Sequence, residues 1–319
     1  MPLSPTSFIE SSFLADLFAI PGLTDISYNG ERIHYVTNLG GRAASAIEVT
    51  PREVGDFLRQ LANLTERQFS YSMPILDVSF GRYRLNAVYQ SLARSKNEKT
   101  YTFSLRLASP KCSIDENPDF FGGNSEQILL DAISAQESIV IGGRTGTGKT
   151  ELEKWLLLRM PESMRVIVID NVEELDMVTN PKVDLTTWIA NDSAPSASFA
   201  SLIKNSLRNN PDYIVIAEAR GAEMLDVITS AMSGHPVISS IHSKDLESMP
   251  ERMGRLSMLS EQKLYLDALV RDVEEHFGLF VYLEKDLCEG RVRRYICSIG
   301  RIDKKTRKMV KLYERGEKP

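Results

Sequence analysis

Cysteine is scarce in this chain: three residues among 319, at Cys112, Cys288 and Cys297. None is spaced as C-x-x-C, which argues against a structural zinc site or a disulfide framework. Three reduced, mostly buried thiols are the expectation. Long hydrophobic runs are also missing, and nothing approaches the ~20 residues that cross a bilayer. The N-terminus, Met1-Pro2-Leu3-Ser4-Pro5-Thr6, lacks the basic region of a secretory signal. These two absences predict a cytoplasmic chain. An excess of positive charge is lacking as well, since the net charge is −5. A protein holding nucleic acid along a broad basic face is built differently. What is present is ordinary globular composition, 42% apolar and 25% charged, over a length that suits two domains.

The first hundred residues read as an α+β domain. Phe8, Ile9, Phe13, Leu14, Leu17 and Phe18 recur at helical spacing, and Pro21-Gly22 ends that helix. A hairpin follows around Asn29-Gly30, the favoured pair for a tight turn. Thr50-Pro51-Arg52-Glu53 is a capping box with proline at the first helical position. Val54, Phe57, Leu58 and Leu61 continue it as one apolar stripe. Strands are expected at 74–80, 82–88 and 101–107. Arg82, Arg84 and Arg106 lie on those strands, Arg82 and Arg84 on one face by alternation. They read either as solvated strand charge or as a clamp on a phosphate. The Pro- and Gly-rich stretch 108–123 has linker composition. The expected organisation is therefore 1–107, a linker at 108–123, and a second domain at 124–319.

That second domain contains the most informative stretch. Gly143, Arg144, Thr145, Gly146, Thr147, Gly148, Lys149 and Thr150 spell G-x-x-x-x-G-K-T between an apolar run, 138–142, and a helix-forming segment. Glycines let backbone N–H groups close around phosphates, and the helix N-terminus adds partial positive charge. Lys149 reaches β- and γ-phosphates, and Thr150 ligates Mg²⁺. Glu151, which follows, is counted with the loop as nucleotide-binding. Strands at 138–142, 165–170, 213–217 and 237–241 alternate with helices, the pattern of a parallel α/β sheet. Its functional residues should gather at the C-terminal strand ends. Asp170 and Glu174 suit a bound metal or an attacking water, or form a solvated acidic loop. Glu218 ends another strand, where it could polarise water. His235 and His242 sit at opposite ends of one strand, about 20 Å apart when extended, so one metal cannot take both. Phosphate sensing, an interface contact or a structural role remains for each.

Together these segments resemble the ATPases of type II and type IV secretion and of type IV pili. The carrying residues are Gly143–Thr150, the acidic segment Arg165–Leu175, Leu207-Arg208-Asn209-Asn210-Pro211-Asp212 through Glu218-Ala219-Arg220, Gly234-His235 through Ile241-His242, and Gly81-Arg82-Tyr83-Arg84-Leu85-Asn86-Ala87. Arg220-Gly221-Ala222-Glu223 and Gly234-His235-Pro236 look closest to the type IV secretion and tight-adherence branch. The resemblance implies a PAS-like N-terminal α+β domain and a RecA-like P-loop NTPase domain with a mainly parallel sheet. It implies ATP and Mg²⁺ as cofactors, with Thr150, Asp170 and Glu218 toward the metal and Glu218 as general base. Lys149, Asp170, Glu174, His235 and His242 join the catalytic set. Arg82, Arg84 and Arg106 would close on the nucleotide, and Arg208 and Arg220 would lie at a subunit interface.

The implied protein is a hexameric motor, cytoplasmic and peripheral at the inner face of the membrane. Its partners would be inner-membrane platform or coupling components of a secretion, conjugation or pilus machine. Three departures stand out: Asp170-Asn171 replaces the usual Glu-Asp, Ala217 replaces glycine before Glu218, and the tetracysteine zinc module is missing. The first motivates an alternative, an assembly switch with little turnover. A DNA translocase is a third reading, supported by Arg291-Val292-Arg293-Arg294 and Lys304-Lys305-Thr306-Arg307-Lys308 and opposed by the overall charge. Direct nucleic-acid binding is accordingly not expected.

Overall fold

The computed structural model describes residues 4–109, 111–171, 174–175, 183–191, 194–288 and 291–316. The chain divides into two compact units. The first comprises Met1–Ser109 with Leu287–Val292, the second Pro110–Asp286 with Arg293–Pro319.

In the first unit the helix expected over 7–20 is broken. Helix α1 covers Pro5–Glu10, and a 3-10 turn covers Ala15–Ala19. The cause is Ser11 and Ser12, whose hydroxyls donate to the carbonyls of Ser7 and Ile9, each at 2.7 Å. Such side-chain bonds compete with continuation of the helix. Strands β1 (Leu23–Tyr28) and β2 (Ile33–Thr37) pair antiparallel, with Tyr28 opposite Ile33. Their turn is held by Asn29 Oδ1, which accepts from the N–H groups of Glu31 and Arg32 at 3.0 and 2.9 Å. Strand β3 (Arg42–Ala44) lies beyond β2. Helix α2 (Pro51–Leu64) begins at its capping box, Thr50 N–H donating to Glu53 Oε2 at 2.8 Å and Glu53 N–H to Thr50 Oγ1 at 3.2 Å.

Strands β4 (Ile75–Phe80), β5 (Tyr83–Val88) and β8 (Thr102–Leu107) complete a six-stranded sheet in the order β3-β2-β1-β8-β5-β4. The short strands β6 (Arg94–Ser95) and β7 (Glu98–Lys99) form a separate ribbon. The stripe Val54, Phe57, Leu58 and Leu61 packs with Tyr83, Leu85, Phe103 and Leu105 into one core. Gly55 permits close approach, since a Cβ there would fall 2.5 Å from the Tyr101 ring. The alternate residues Arg84, Asn86, Ser104 and Arg106 are left off the buried face.

The second unit alternates strands and helices. In order these are α3 (Ser125–Ser134), β9 (Ile139–Gly143), α4 (Lys149–Leu157), β10 (Arg165–Asp170), β11 (Asp184–Ile189) and α5 (Phe199–Ser206). They continue as β12 (Tyr213–Ile216), α6 (Met224–Met232), β13 (Val237–Ile241), α7 (Met249–Ser257) and α8 (Leu266–His276). The last strands are β14 (Leu279–Cys288), β15 (Arg291–Asp303) and β16 (Lys308–Glu314). The sheet order is β11-β10-β12-β13-β9-β14-β15-β16. Pairings from β11 through β14 are parallel, and β16 runs antiparallel to β15. The central strands are buried on both faces, as the near-continuous apolar runs require. Ile139, Ile141, Val215 and Ile238 pack toward α3 and α4, while Val140, Ile214, Ile216 and Ile241 pack with α5, α6 and α7.

The stretch 108–123, expected as a linker, is structured from Lys111 onward as part of this second unit. Ser113–Glu116 forms a 3-10 turn, and Ile114 and Phe120 are buried in the core that holds Leu152 and Trp155. Two large apolar side chains outweigh the surrounding prolines and glycines. The three cysteines are free. Burial pushes the Cys112 thiol up and, with the neighbouring Glu284 carboxylate, raises Cys297 to about 11. Thiolate-directed alkylation at about pH 8 should therefore modify Cys297 far more slowly in the folded protein than after denaturation, a difference that peptide mass mapping of a time course would check. Among the described residues, no helix is long and apolar enough to cross a membrane.

Candidate functional site

The loop between β9 and α4 is shaped by its glycines. Gly146 and Gly148 take φ of +76° and +97°, a region other residues enter only with strain. Gly148 is also the residue from which α4 starts. Thr147 Oγ1 donates to Arg144 O at 2.9 Å and closes the loop on itself. Two cations grip the loop's carbonyls from neighbouring strands: Lys285 Nζ donates to Thr145 O at 2.8 Å, and Arg294 Nε to Gly146 O at 2.9 Å. The first N–H groups of α4 have no partners within the helix and can meet an anion. Arg144, Thr145 and Gly146 are exposed, while Thr147 and Lys149 are buried.

Lys149, His242, Glu218 and Arg220 form a chain at the C-terminal end of the sheet. Lys149 Nζ lies 3.3 Å from Gly143 O and 3.4 Å from His242 Nδ1. His242 Nε2 lies 2.8 Å from Glu218 Oε1. Arg220 clamps the other oxygen, Oε2, through Nε at 2.9 Å and a terminal nitrogen at 2.6 Å. The His242 ring thus stands between Lys149 and Glu218, with Nδ1 also 3.3 Å from Gly143 O, and no hydrogen bond reaches Glu218 Oε1. Burial pushes the Glu218 carboxyl up, but the Arg220 hydrogen bonds and charge, with Lys149 nearby, outweigh burial and hold it below the ordinary value of 4.5.

Asp170 ends β10 and is 2% exposed. Its Oδ1 accepts from Asn171 N–H at 2.7 Å and its Oδ2 from Leu175 N–H at 3.2 Å, so it pins the turn that follows. Glu174 is buried in that turn; Val172 and Glu173 lie outside the described residues. A cavity of about 770 Å³ opens beside the loop, lined in part by Arg144, His242, Arg252, Arg255 and Tyr282.

Other expected residues are elsewhere. His235 precedes β13 and therefore lies at the opposite end of that strand from His242. It lines a separate cavity of about 360 Å³ with Glu137, Glu274, His276 and Arg301, and its Nδ1 is 3.0 Å from Ser233 Oγ. Arg208 precedes β12 and is exposed at the same remote end. In the first unit, Arg82 donates to Tyr83 Oη at 3.0 Å and lies 3.6 Å from Glu10, and Arg84 lies 3.5 Å from Asp77. Arg84 stands directly opposite Arg106 across β5 and β8.

With this geometry in hand, comparison with known proteins is decisive. Residues 116–273, which contain the loop, Asp170, Glu218 and His242, match the family described as Type II/IV secretion system protein. Residues 116–273 belong to the type II/IV secretion protein family. An uncharacterised protein of Bacillus anthracis is 28% identical over 297 residues, 88% of this chain and 65% of that one. The type IV secretion system protein VirB11 of Brucella suis is 34% identical over 145 residues, 44% of this chain and 40% of that one. The chain thus spans less than two thirds of either relative's length. The X-ray structure of the Legionella pneumophila ATPase DotB has a similar fold, with a TM-score of 0.66 at 21% identity over 95% of this chain and 83% of DotB. An N-terminal α+β domain followed by a RecA-like domain with a mainly parallel sheet is the shared architecture.

Four residues of this secretion-family site escaped the sequence reading: Lys285, Arg294, Arg252 and Arg255. Lys285 and Arg294 arrive because β14 neighbours β9 and β15 neighbours β14. The only signal for Arg294 was the basic run 291–294, which reads equally as a solvated tail, and Lys285, between Glu284 and Asp286, gave none. Glu151, expected with the nucleotide, is instead used within the protein. Its Oε2 accepts from Ser113 N–H and Oγ at 2.6 and 2.7 Å, and its Oε1 pairs with Lys154 at 2.9 Å. Glu151→Ala should therefore cost stability, about 1–3 kcal/mol for the lost charged hydrogen bonds, and leave nucleotide affinity unchanged. Denaturant melts and equilibrium titration with a fluorescent nucleotide would check both; a collapse of affinity would return Glu151 to the binding set.

Proposed function

We propose that the chain is an ATPase that works as a hexameric motor for a secretion, conjugation or type IV pilus machine. The observation that carries the reading is the convergence of Lys149, His242 and Glu218, with contacts of 3.4 and 2.8 Å, at the mouth of an intact phosphate loop. The loop's N–H groups and Lys149 would hold the phosphates of ATP. Glu218, kept ionised by Arg220, would take the proton of the attacking water. His242 links base and lysine, so a change at the phosphate is felt at the carboxylate. Thr150 Oγ1, Asp170 and Glu218 offer hard oxygen donors of the kind Mg²⁺ takes. The ion would neutralise phosphate charge in the transition state. Arg82, Arg84 and Arg106 are proposed to add positive charge, and Arg208 and Arg220 to serve at subunit contacts. Six subunits, inner-membrane partners and a peripheral position at the inner membrane face belong to the same proposal; it draws on the family and on the fold shared with the ATPase DotB.

Arg220 also favours a second reading. By gripping Glu218 it lowers the basicity of the proposed base, as a nucleotide-dependent assembly switch with little turnover would require. Phosphate release from Mg²⁺–ATP, measured beside solution mass with and without nucleotide, separates the two. Steady hydrolysis with ring formation supports the motor; ring formation without phosphate release supports the switch; neither outcome sinks both.

A further inference from the structure

Glu153 has no part in the reading above. It lies one turn after Lys149 on α4 and is wholly buried, and no hydrogen bond reaches either of its carboxyl oxygens. The charge-bearing side chains that act on it are Asp170, Glu218 and Lys149, two of them acidic. An ionised carboxylate with no donor, beside like charges, is among the most costly things to bury. Burial first, and Asp170 second, push this carboxyl far up. With both oxygens sealed from water and no donor to meet them, the neutral acid is the form this pocket suits, and that form has a proton to place.

The polar side chain beside it is Ser240, itself 1% exposed. Ser240 gives its own proton to Ala217 O at 2.5 Å, so its oxygen has only lone pairs left for another partner. A carboxylate next to that oxygen has no proton to share; a carboxylic acid does. Ser240 is also well placed to act on the site. Its hydroxyl donates to Ala217 O and its carbonyl accepts from Ala219 N–H at 3.1 Å, so it brackets Glu218 on both sides. Two residues further along β13 stands His242.

We propose that Glu153 donates a hydrogen bond from its carboxyl O–H to Ser240 Oγ, completing a buried relay Glu153–Ser240–Ala217 that fixes Glu218 and His242 against Lys149. Glu153 is then a positioning residue that acts through Ser240. The inference rests on the hydrolytic reading of the site for its consequence, but not for the bond itself.

The test has two independent arms. Infrared spectra of the whole protein at neutral pH should show a buried carboxylic-acid carbonyl band that Glu153→Gln abolishes and Ser240→Ala shifts. In steady-state hydrolysis, Glu153→Leu and Ser240→Ala should lower kcat about 10- to 100-fold with nucleotide affinity unchanged, the size expected when a reacting group loses its alignment. Glu153→Gln, whose amide N–H can make the same bond, should recover most of kcat. Absence of the band, a band unmoved by Ser240→Ala, wild-type kcat in Glu153→Leu, or equal damage from Gln and Leu would each overturn the proposal. A wild type without hydrolysis would sink the motor reading alone, because the infrared arm still decides the bond. Should Glu153→Leu fail to fold, Glu153→Gln and Ser240→Ala carry both arms.

Discussion

Glu218→Gln should lower ATP turnover by roughly 10²- to 10⁴-fold, the range lost with a general base, while nucleotide still binds. The amide keeps the shape and can still face His242, but it cannot take a proton from water. Because Arg220 and Lys149 hold Glu218 below 4.5 against the opposing effect of burial, the group stays ionised through neutral pH. The sign follows directly. A depressed carboxyl contributes stability that is fully present above its unfolded value and lost as pH falls through the folded value. Any acid limb of the rate profile belonging to Glu218 therefore lies below the ordinary carboxylate range, and a fall in rate at mildly acidic pH would have to come from another group. The pH–rate profile of wild type beside single-turnover measurements on Glu218→Gln checks both statements. Unchanged turnover in the variant would remove Glu218 from the mechanism.

The largest stability effect is expected from Trp155→Ala. Trp155 is 1% exposed on α4, its ring centroid 4.8 Å from that of Phe121, with the Arg159 guanidinium 4.1 Å over its face. Removing a buried tryptophan costs about 3–5 kcal/mol through lost transfer energy and the cavity left behind. The Arg159 stacking adds to this. Helix α4 carries Lys149 at its start, so loss of its packing loosens the phosphate loop as well. The transition of the second unit should shift down by roughly 10 °C, read by calorimetry able to resolve two transitions, since a two-unit chain need not melt as one. A shift of only a degree or two would show that the site collapses around the missing ring.

Features set by neighbouring residues were legible in the sequence. The α2 start could be read because a capping box is closed within four residues. The phosphate loop could be read because glycines and a lysine at fixed spacing admit few alternatives. That His235 and His242 sit at opposite ends of a strand was also readable. The family resemblance alone carried His235 toward the nucleotide, and within this chain β13 keeps it at the far end. Other features depended on partners distant in sequence. Ser11 and Ser12 looked like ordinary positions in a helix until their hydroxyls were seen to bond backwards. Glu151 and Glu153 stand two apart on one helix, and only the packing of α4 shows that one anchors Ser113 while the other is sealed beneath the site. Lys285 and Arg294 reach the loop through the sheet order, which local pattern does not encode.

The border between the two units has a consequence for modularity. Leu287–Val292, from the end of β14 to the start of β15, groups with the first unit, where Val292 N–H donates to Leu39 O at 3.0 Å. One residue away on either side are Asp286 and Arg293, and next to them Lys285 and Arg294, which grip the phosphate loop. The chain thus passes between the units three times, and no single cut frees one from the other. A gene fragment ending at Ser109 leaves behind six residues of its own unit, and the complementary fragment carries them as an orphaned tip. Recombination that exchanged N-terminal units among relatives would have to bring a matching 287–292 tip, so these two units are expected to be inherited as a pair.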